Sequence, residues 1–269
     1  PYSPKAGTGL SSHELNQPGC YRDVKDNTVV AQFKMVPSAQ STALLGTEDA
    51  HFLAWTTTPW TLPSNTALTV GPKIEYALVK TFNQYTFEPV NIIAASGLLG
   101  KLFGKKFVEG DTATYEKGAK KIPYEIVKTV SGADLVGIKY EQLLDYAQPH
   151  ERPEDAFRVI PGDFVTTEDG TGIVHTAPTF GADDAKVAAD AGVPPLLVMD
   201  ESDNLVPLVD LRGKFRAELA DPMFGLGEEY IKAEYLTDEE KEASFQEQRE
   251  KLKPINPELK AYLSVDERI

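Results

Sequence analysis

Eleven residues, Trp55-Thr56-Thr57-Thr58-Pro59-Trp60-Thr61-Leu62-Pro63-Ser64-Asn65, constrain this chain more than any other stretch. They hold four threonines, two tryptophans, two prolines and an asparagine. The apolar run from Ala50 to Ala54 before them reads as a strand. Pro59 has no N–H to give a sheet ladder and turns Thr58 away from helical backbone, so the strand must end there. The sequence therefore predicts a strand that breaks into a stiff, hydroxyl-lined loop, suited to holding a small polar substrate or a water molecule. The plainer alternative is the solvated face of a strand, where threonine is common.

A second segment has similar density: Gly170-Thr171-Gly172-Ile173-Val174-His175-Thr176-Ala177-Pro178, followed by Thr179-Phe180-Gly181-Ala182-Asp183-Asp184. It predicts β structure around its glycines, then a helix over Asp183 to Ala191 that Gly192 closes. His175 has a packed, hydrogen-bonded side chain as its ordinary reading. Asp184 has a helix N-terminal charge as its own.

The two segments, in this order and more than a hundred residues apart, resemble the two editing motifs of isoleucyl-tRNA synthetases. The first matches the threonine-rich motif; the second matches a glycine-containing strand, HxAP and an acidic residue at a helix start. The opening, with GTGLSSHELNQPGCYRDVKD before Asn27, also resembles a segment of that family. Valyl and leucyl relatives carry arginine after two threonines where this chain has Thr58, and lack histidine at the position of His175. Both differences point to the isoleucyl type.

The resemblance implies an α/β (mixed α+β) fold, a distorted β-barrel flanked by helices, as one editing domain over 1–269. Residues 1–28 would be an entry loop, and 29–269 the barrel and helices. The signatures HIGH and KMSKS of a complete class I synthetase are absent. The chain thus reads as an excised insertion, not expected to make aminoacyl-tRNA. The implied reaction is hydrolysis of valine from the 3′ end of tRNA(Ile), and of valyl-adenylate. One methylene is worth only about 1–3 kcal/mol, a limit for which this family's choice of isoleucine over valine is the standing example, so a second hydrolytic site is needed.

By the same resemblance, Asp184 would hold the substrate ammonium and His175 would be the wall that excludes isoleucine. Thr56, Thr57 and Thr58 would bind the ester, the ribose hydroxyl and the attacking water. Trp60, Thr61 and Asn65 would shape the pocket and hold the adenosine. No threonine has an evident base beside it, which favours direct attack by water over a covalent route. Two other readings stay open: a module that binds the aminoacyl-adenosine end with little turnover of its own, and a freestanding trans-editing deacylase. A serine hydrolase is poorly supported, since no G-x-S-x-G elbow is present.

Composition sets the outer limits. A chain of 269 residues with 41% apolar content can bury a substantial core. No apolar run approaches membrane-span length, and no signal peptide is evident. A single cysteine, Cys20, rules out an internal disulfide. His13, His51, His150 and His175 lack metal-ligand spacing, so neither metal nor cofactor is expected here; ATP and Mg belong to the parent enzyme by resemblance. A soluble, cytoplasmic protein with no membrane partner is the expectation. The net charge of −14 lies in the C-terminal half: residues 1–150 hold 14 basic and 14 acidic residues, residues 151–269 hold 13 and 27. An acidic surface grips a long duplex poorly. It can hold the single-stranded tip of an RNA gripped elsewhere, by the remainder of the synthetase in cis. Lys101, Lys105, Lys106, Lys117, Lys120, Lys121 and Lys128 form either a phosphate-facing stretch or a solvated surface.

Strands are also predicted at Thr28 to Val36, within Leu44 to Trp55, and at 67–70, 76–81, 90–95, 124–130, 157–160, 196–199 and 205–208. A short helix or turn is expected over 96–104, a helical turn or strand edge over 141–146, and a capped helix over 237–251.

Overall fold

The structure, a computed structural model, describes residues 2–3, 7–21, 26–216, 228–254 and 256–269. Parts of the predicted entry loop, at 1, 4–6 and 22–25, lie outside the described residues. Two compact units are distinguished. One comprises Thr28–Thr56 and Thr61–Leu196; the other comprises Pro1–Asn27, Thr57–Trp60 and Leu197–Ile269.

The first unit is built on a nine-stranded mixed sheet. In chain order its strands are β3 (Val29–Lys34), β4 (His51–Thr56), β5 (Ala67–Val70), β6 (Glu75–Phe82), β7 (Pro89–Ala95), β8 (Phe107–Glu109), β9 (Ile122–Ser131), β10 (Arg158–Pro161) and β11 (Ile173–Thr176). The order is β10-β5-β11-β4-β7-β6-β9-β8, with β3 on the other edge of β4. Strand β4 is where the sheet forks. It pairs with β7 at His51 and Phe52, and with β11 at Trp55. Beyond β7 the sheet runs out as a wing; beyond β11 it curls back.

That curl closes. Residues 138–141 bridge the two free edges: Met35 pairs with Tyr140, and Lys139 with Arg158. The Glu141 N–H donates to Lys34 O (2.8 Å) and the Val159 N–H to Ile138 O (2.9 Å). The circuit β3, β4, β11, β5, β10 and 138–141 is a small barrel, distorted because one stave is irregular chain. This is the mixed α/β barrel expected of the fold class. Closure removes edges that would otherwise expose unpaired N–H and C=O groups. Strand β5 and residues 52–54 of β4 are buried, which fits their mostly apolar side chains.

Several elements differ from the sequence expectation. The loop after β4 is a 3-10 helix, Pro59–Ser64, whose two prolines supply pre-set backbone angles. Residues 39–45 form a helix, α2 (Ala39–Leu45), where no helix was expected; Ser38 and Ser41 cap it reciprocally, and Gly46 ends it at φ +73°. Residues 141–146 are neither helix nor strand. Residues 96–104 give a 3-10 turn and a helix, α3 (Leu99–Phe103). After α4 (Gly132–Leu135) comes α5 (Ala182–Ala191), closed by Gly192 as expected.

In the second unit, part of the expected entry loop is ordered secondary structure. Strands β1 (Tyr2–Ser3) and β2 (Thr8–Gly9) pair, and α1 (Ser12–Leu15) begins with a capping box between Ser11 and Glu14. The hairpin of β12 (Val198–Met199) and β13 (Leu205–Val206) turns on the Asp200 carboxylate, which accepts the Ser202 and Asn204 N–H groups. Helix α6 (Asp238–Leu252) starts at the expected Thr237–Glu240 box, and α7 is Val265–Arg268. The buried Gln248 amide donates to Leu263 O and accepts from Leu263 N–H, both at 2.7 Å.

Buried Tyr76 joins β6 to the second motif. Its hydroxyl donates to Gly172 O (2.6 Å) and accepts the Gly71 N–H (2.9 Å), and burial pushes its pKa up to about 12. Gly172 sits at φ +72°, and a Cβ there would lie 2.4 Å from Ala95 Cβ. Both the backbone and the packing require glycine. Gly172→Ala is expected to cost about 2–4 kcal/mol of stability in urea unfolding. A loss within about 0.5 kcal/mol, the usual surface effect, would contradict this packing.

Candidate active site

The barrel brings the two motifs into contact. Trp55 of β4 pairs in parallel with Val174 of β11, so the next residues, Thr56 and His175, leave their strands side by side, both buried. Strand β11 also pairs with β5, placing His175 opposite Leu68 and Thr176 opposite Ala67. Asn65, two residues before β5, thereby comes beside the His175 ring.

The ring is held at both nitrogens. Nε2 is 2.9 Å from Thr61 Oγ1, and Nδ1 is 2.8 Å from Asn65 Nδ2. The Asn65 amide also donates to Ala67 O (2.8 Å), and its Oδ1 accepts from the Tyr140 hydroxyl (2.6 Å). Asn65 is 2% exposed, so its hydrogen bonds are made inside the protein. Tyr140 had no signal in the sequence. It lies in a stretch without a motif and meets a partner 75 residues away. Its ring packs edge-on against Phe33 and Phe157.

Burial lowers the His175 pKa from its ordinary 6.5 to about 4, so the ring is neutral at pH 7. The unfolded chain binds the extra proton between these two values. The stability this residue carries is therefore full above pH 6.5, falls as the pH drops, and is gone below 4. It amounts to roughly 3 kcal/mol. Urea unfolding of the wild type and of His175→Gln should diverge by about that much between pH 7 and pH 4. Parallel pH curves would contradict a neutral, buried ring.

Asp184 is the third residue of α5 and half-buried. Its Oδ2 accepts the Ala177 N–H at 2.9 Å, which folds the carboxylate back over the turn that follows His175. Burial lifts its pKa above the ordinary value; the Ala177 N–H opposes this and Asp183 adds to the rise. Gly181 permits the close approach, since a Cβ there would lie 3.0 Å from the Asp184 carboxyl carbon.

Thr57, Thr58 and Trp60 belong to the second unit. Thr57 is exposed, and Thr58 and Trp60 are half-buried. The Trp60 N–H donates to Asp266 Oδ1 (3.0 Å). Lys232 is bonded to Asp266 (2.8 Å) and to Asp26 (2.5 Å). Burial raises the Asp266 pKa despite these bonds, and the Lys232 bond lowers that of Asp26.

Among the described residues, no cluster of three His, Cys, Asp or Glu side chains could hold a metal ion, and no helix is long and apolar enough to cross a membrane. Several lysines of the 101–128 stretch bond locally: Lys101 to Asp169 and Glu168 O, Lys117 to Glu88, Lys106 to Gln84 O.

Comparison with known proteins gives close relatives over the whole chain. It is 57% identical over 270 residues to the isoleucine–tRNA ligase of Cytophaga hutchinsonii, covering 100% of this chain and 22% of that protein. It is 57% identical over 223 residues to the Bacteroides thetaiotaomicron enzyme, covering 80% and 19%, and 59% identical over 215 residues to that of Bacteroides fragilis, covering 80% and 18%.

The chain belongs to the isoleucine–tRNA ligase family.

It spans about a fifth of the length of the curated relatives it matches. No protein-family model matches it. Among solved structures, this ligase segment is similar to the editing domain of P. knowlesi cytosolic leucyl-tRNA synthetase (15% identity, TM-score 0.42, 61% of this chain and 62% of that one). It is also similar to that of the P. falciparum enzyme (13% identity, TM-score 0.41, 61% and 66%).

Proposed function

We propose that this ligase segment hydrolyses valine from mischarged tRNA(Ile), and valyl-adenylate, as the proofreading module of a cytoplasmic synthetase. The observation that carries the reading is the Thr61–His175–Asn65 constellation, which joins residues 114 apart in sequence and holds the imidazole at both nitrogens. A wall that separates side chains differing by one methylene has to be rigid.

In the proposed reaction a water oxygen attacks the ester carbonyl carbon. The tetrahedral intermediate collapses with loss of the ribose oxygen, which takes a proton. The products are valine and tRNA with a free 3′-terminal hydroxyl. Asp184 pairs with the ammonium group, and His175 blocks the larger side chain. By resemblance, Thr56, Thr57 and Thr58 are assigned to the ester, the ribose hydroxyl and the water, and Trp60 and Thr61 to the adenosine; Asn65 contributes by holding His175. His175 is a poor general base, with both nitrogens engaged and its pKa lowered to about 4. The vicinal ribose hydroxyl or bulk water is left to accept the proton. The partners under this reading are the valylated 3′ end of tRNA(Ile) and the remainder of the synthetase in cis.

A non-hydrolysable valyl-adenosine analogue tests the site. Titrated into the 15N-labelled protein, it should shift the signals of His175, Thr61 and Asp184. Folded protein whose spectrum stays unchanged at saturating analogue would overturn the assignment.

A further inference from the structure

Asn65 has its amide orientation dictated by its surroundings. One N–H faces Ala67 O, which can only accept, and the oxygen faces the Tyr140 hydroxyl. The second N–H faces His175 Nδ1 at 2.8 Å, with Thr176 O a longer alternative at 3.4 Å; a proton on Nδ1 would set two donors against each other at the shorter distance. A nitrogen that accepts a hydrogen bond carries no proton, so the single proton of a neutral imidazole lies on Nε2. That N–H donates to Thr61 Oγ1, and the Thr61 hydroxyl proton must be directed away from the ring.

We infer that Tyr140 is a positioning residue: acting through Asn65, it locks His175 in the Nε2–H tautomer and in one ring orientation. The step from Tyr140 to selectivity rests on the editing reading; the step from Tyr140 to tautomer does not. If the Tyr140 hydroxyl is removed, the Asn65 oxygen is buried with no partner. Reversing the amide would set oxygen against Ala67 O and call for a proton on Nδ1. Neither orientation is then fully satisfied, and the two tautomers come closer in energy. Tyr140→Phe keeps the aromatic contacts with Phe33 and Phe157, so a folded variant is expected.

The test is 15N NMR of the imidazole nitrogens in the intact chain, which reports which nitrogen carries the proton. Wild type should show a protonated Nε2 and an unprotonated Nδ1; the reverse would overturn the inference without any substitution. Tyr140→Phe should show a mixture of the two forms, and Asn65→Asp, which offers Nδ1 no N–H, should move the proton to Nδ1. A pure Nε2–H signal in folded Tyr140→Phe would also overturn it. Deacylation is measured alongside: Tyr140→Phe should lose about tenfold in preference for Val-tRNA over Ile-tRNA, as expected when about one buried hydrogen bond is lost. A wild type that shows the Nε2–H form but releases no valine would count against the editing reading alone.

Discussion

Replacing Asp184 by alanine should reduce kcat/KM for Val-tRNA by roughly thirty- to several-thousand-fold, the range for loss of one partner of a partly buried charge pair worth about 2–5 kcal/mol. The carboxylate is placed by α5, by the Gly181 approach and by the Ala177 N–H, rather than by another side chain. Burial makes it costly to ionise, so an arriving ammonium group gains more from it than from an exposed aspartate. The fold should survive, since the Ala177 N–H bond to this carboxylate is a single turn contact worth about 1–3 kcal/mol. Activity in the wild type should also decline as the pH falls through the raised pKa of Asp184, because the neutral acid no longer pairs with a cation. Deacylation rates together with a thermal melt check both points. A folded Asp184→Ala protein with wild-type turnover would remove Asp184 from the site.

The second large effect is a change of specificity. His175→Ala should open the site to Ile-tRNA, raising its hydrolysis by about 10- to 200-fold relative to wild type, the span that one methylene can control. The mechanism is steric. The imidazole is buried, neutral and fastened to Thr61 and Asn65, so it cannot swing aside without breaking two buried hydrogen bonds. Valine hydrolysis should persist, because His175 supplies no proton transfer. The variant should lose stability as well, since the Asn65 N–H loses its 2.8 Å partner next to a new cavity. Unchanged rejection of Ile-tRNA by the folded variant would contradict the steric role.

These effects trace back unevenly to the sequence. The strand before Thr57 and the helix after Gly181 were legible, because proline, glycine and the capping positions act locally. Helix α2 is not evident from pattern although Ser38, Ser41 and Gly46 mark its ends, because seven residues give too little period to read. Helix α1 carried the same kind of signal in Ser11 and Glu14. Closure of the barrel was not legible from pattern, since the segment 138–141 that completes it is irregular chain with no period to read. Asn65 was singled out, but its burial and its use as a link to His175 depend on the β5–β11 register. Tyr140 left no trace, because nothing local distinguishes a tyrosine that will meet an amide 75 residues away.

The account turns on selective hydrolysis, and one assay addresses it directly. Purified protein is incubated with tRNA(Ile) carrying either valine or isoleucine, and release of the amino acid is followed against the spontaneous rate. Release of valine with isoleucine left in place is the predicted result. Equal release of both, or no release by protein that binds the valyl-adenosine analogue, would contradict a self-sufficient, size-selective hydrolase.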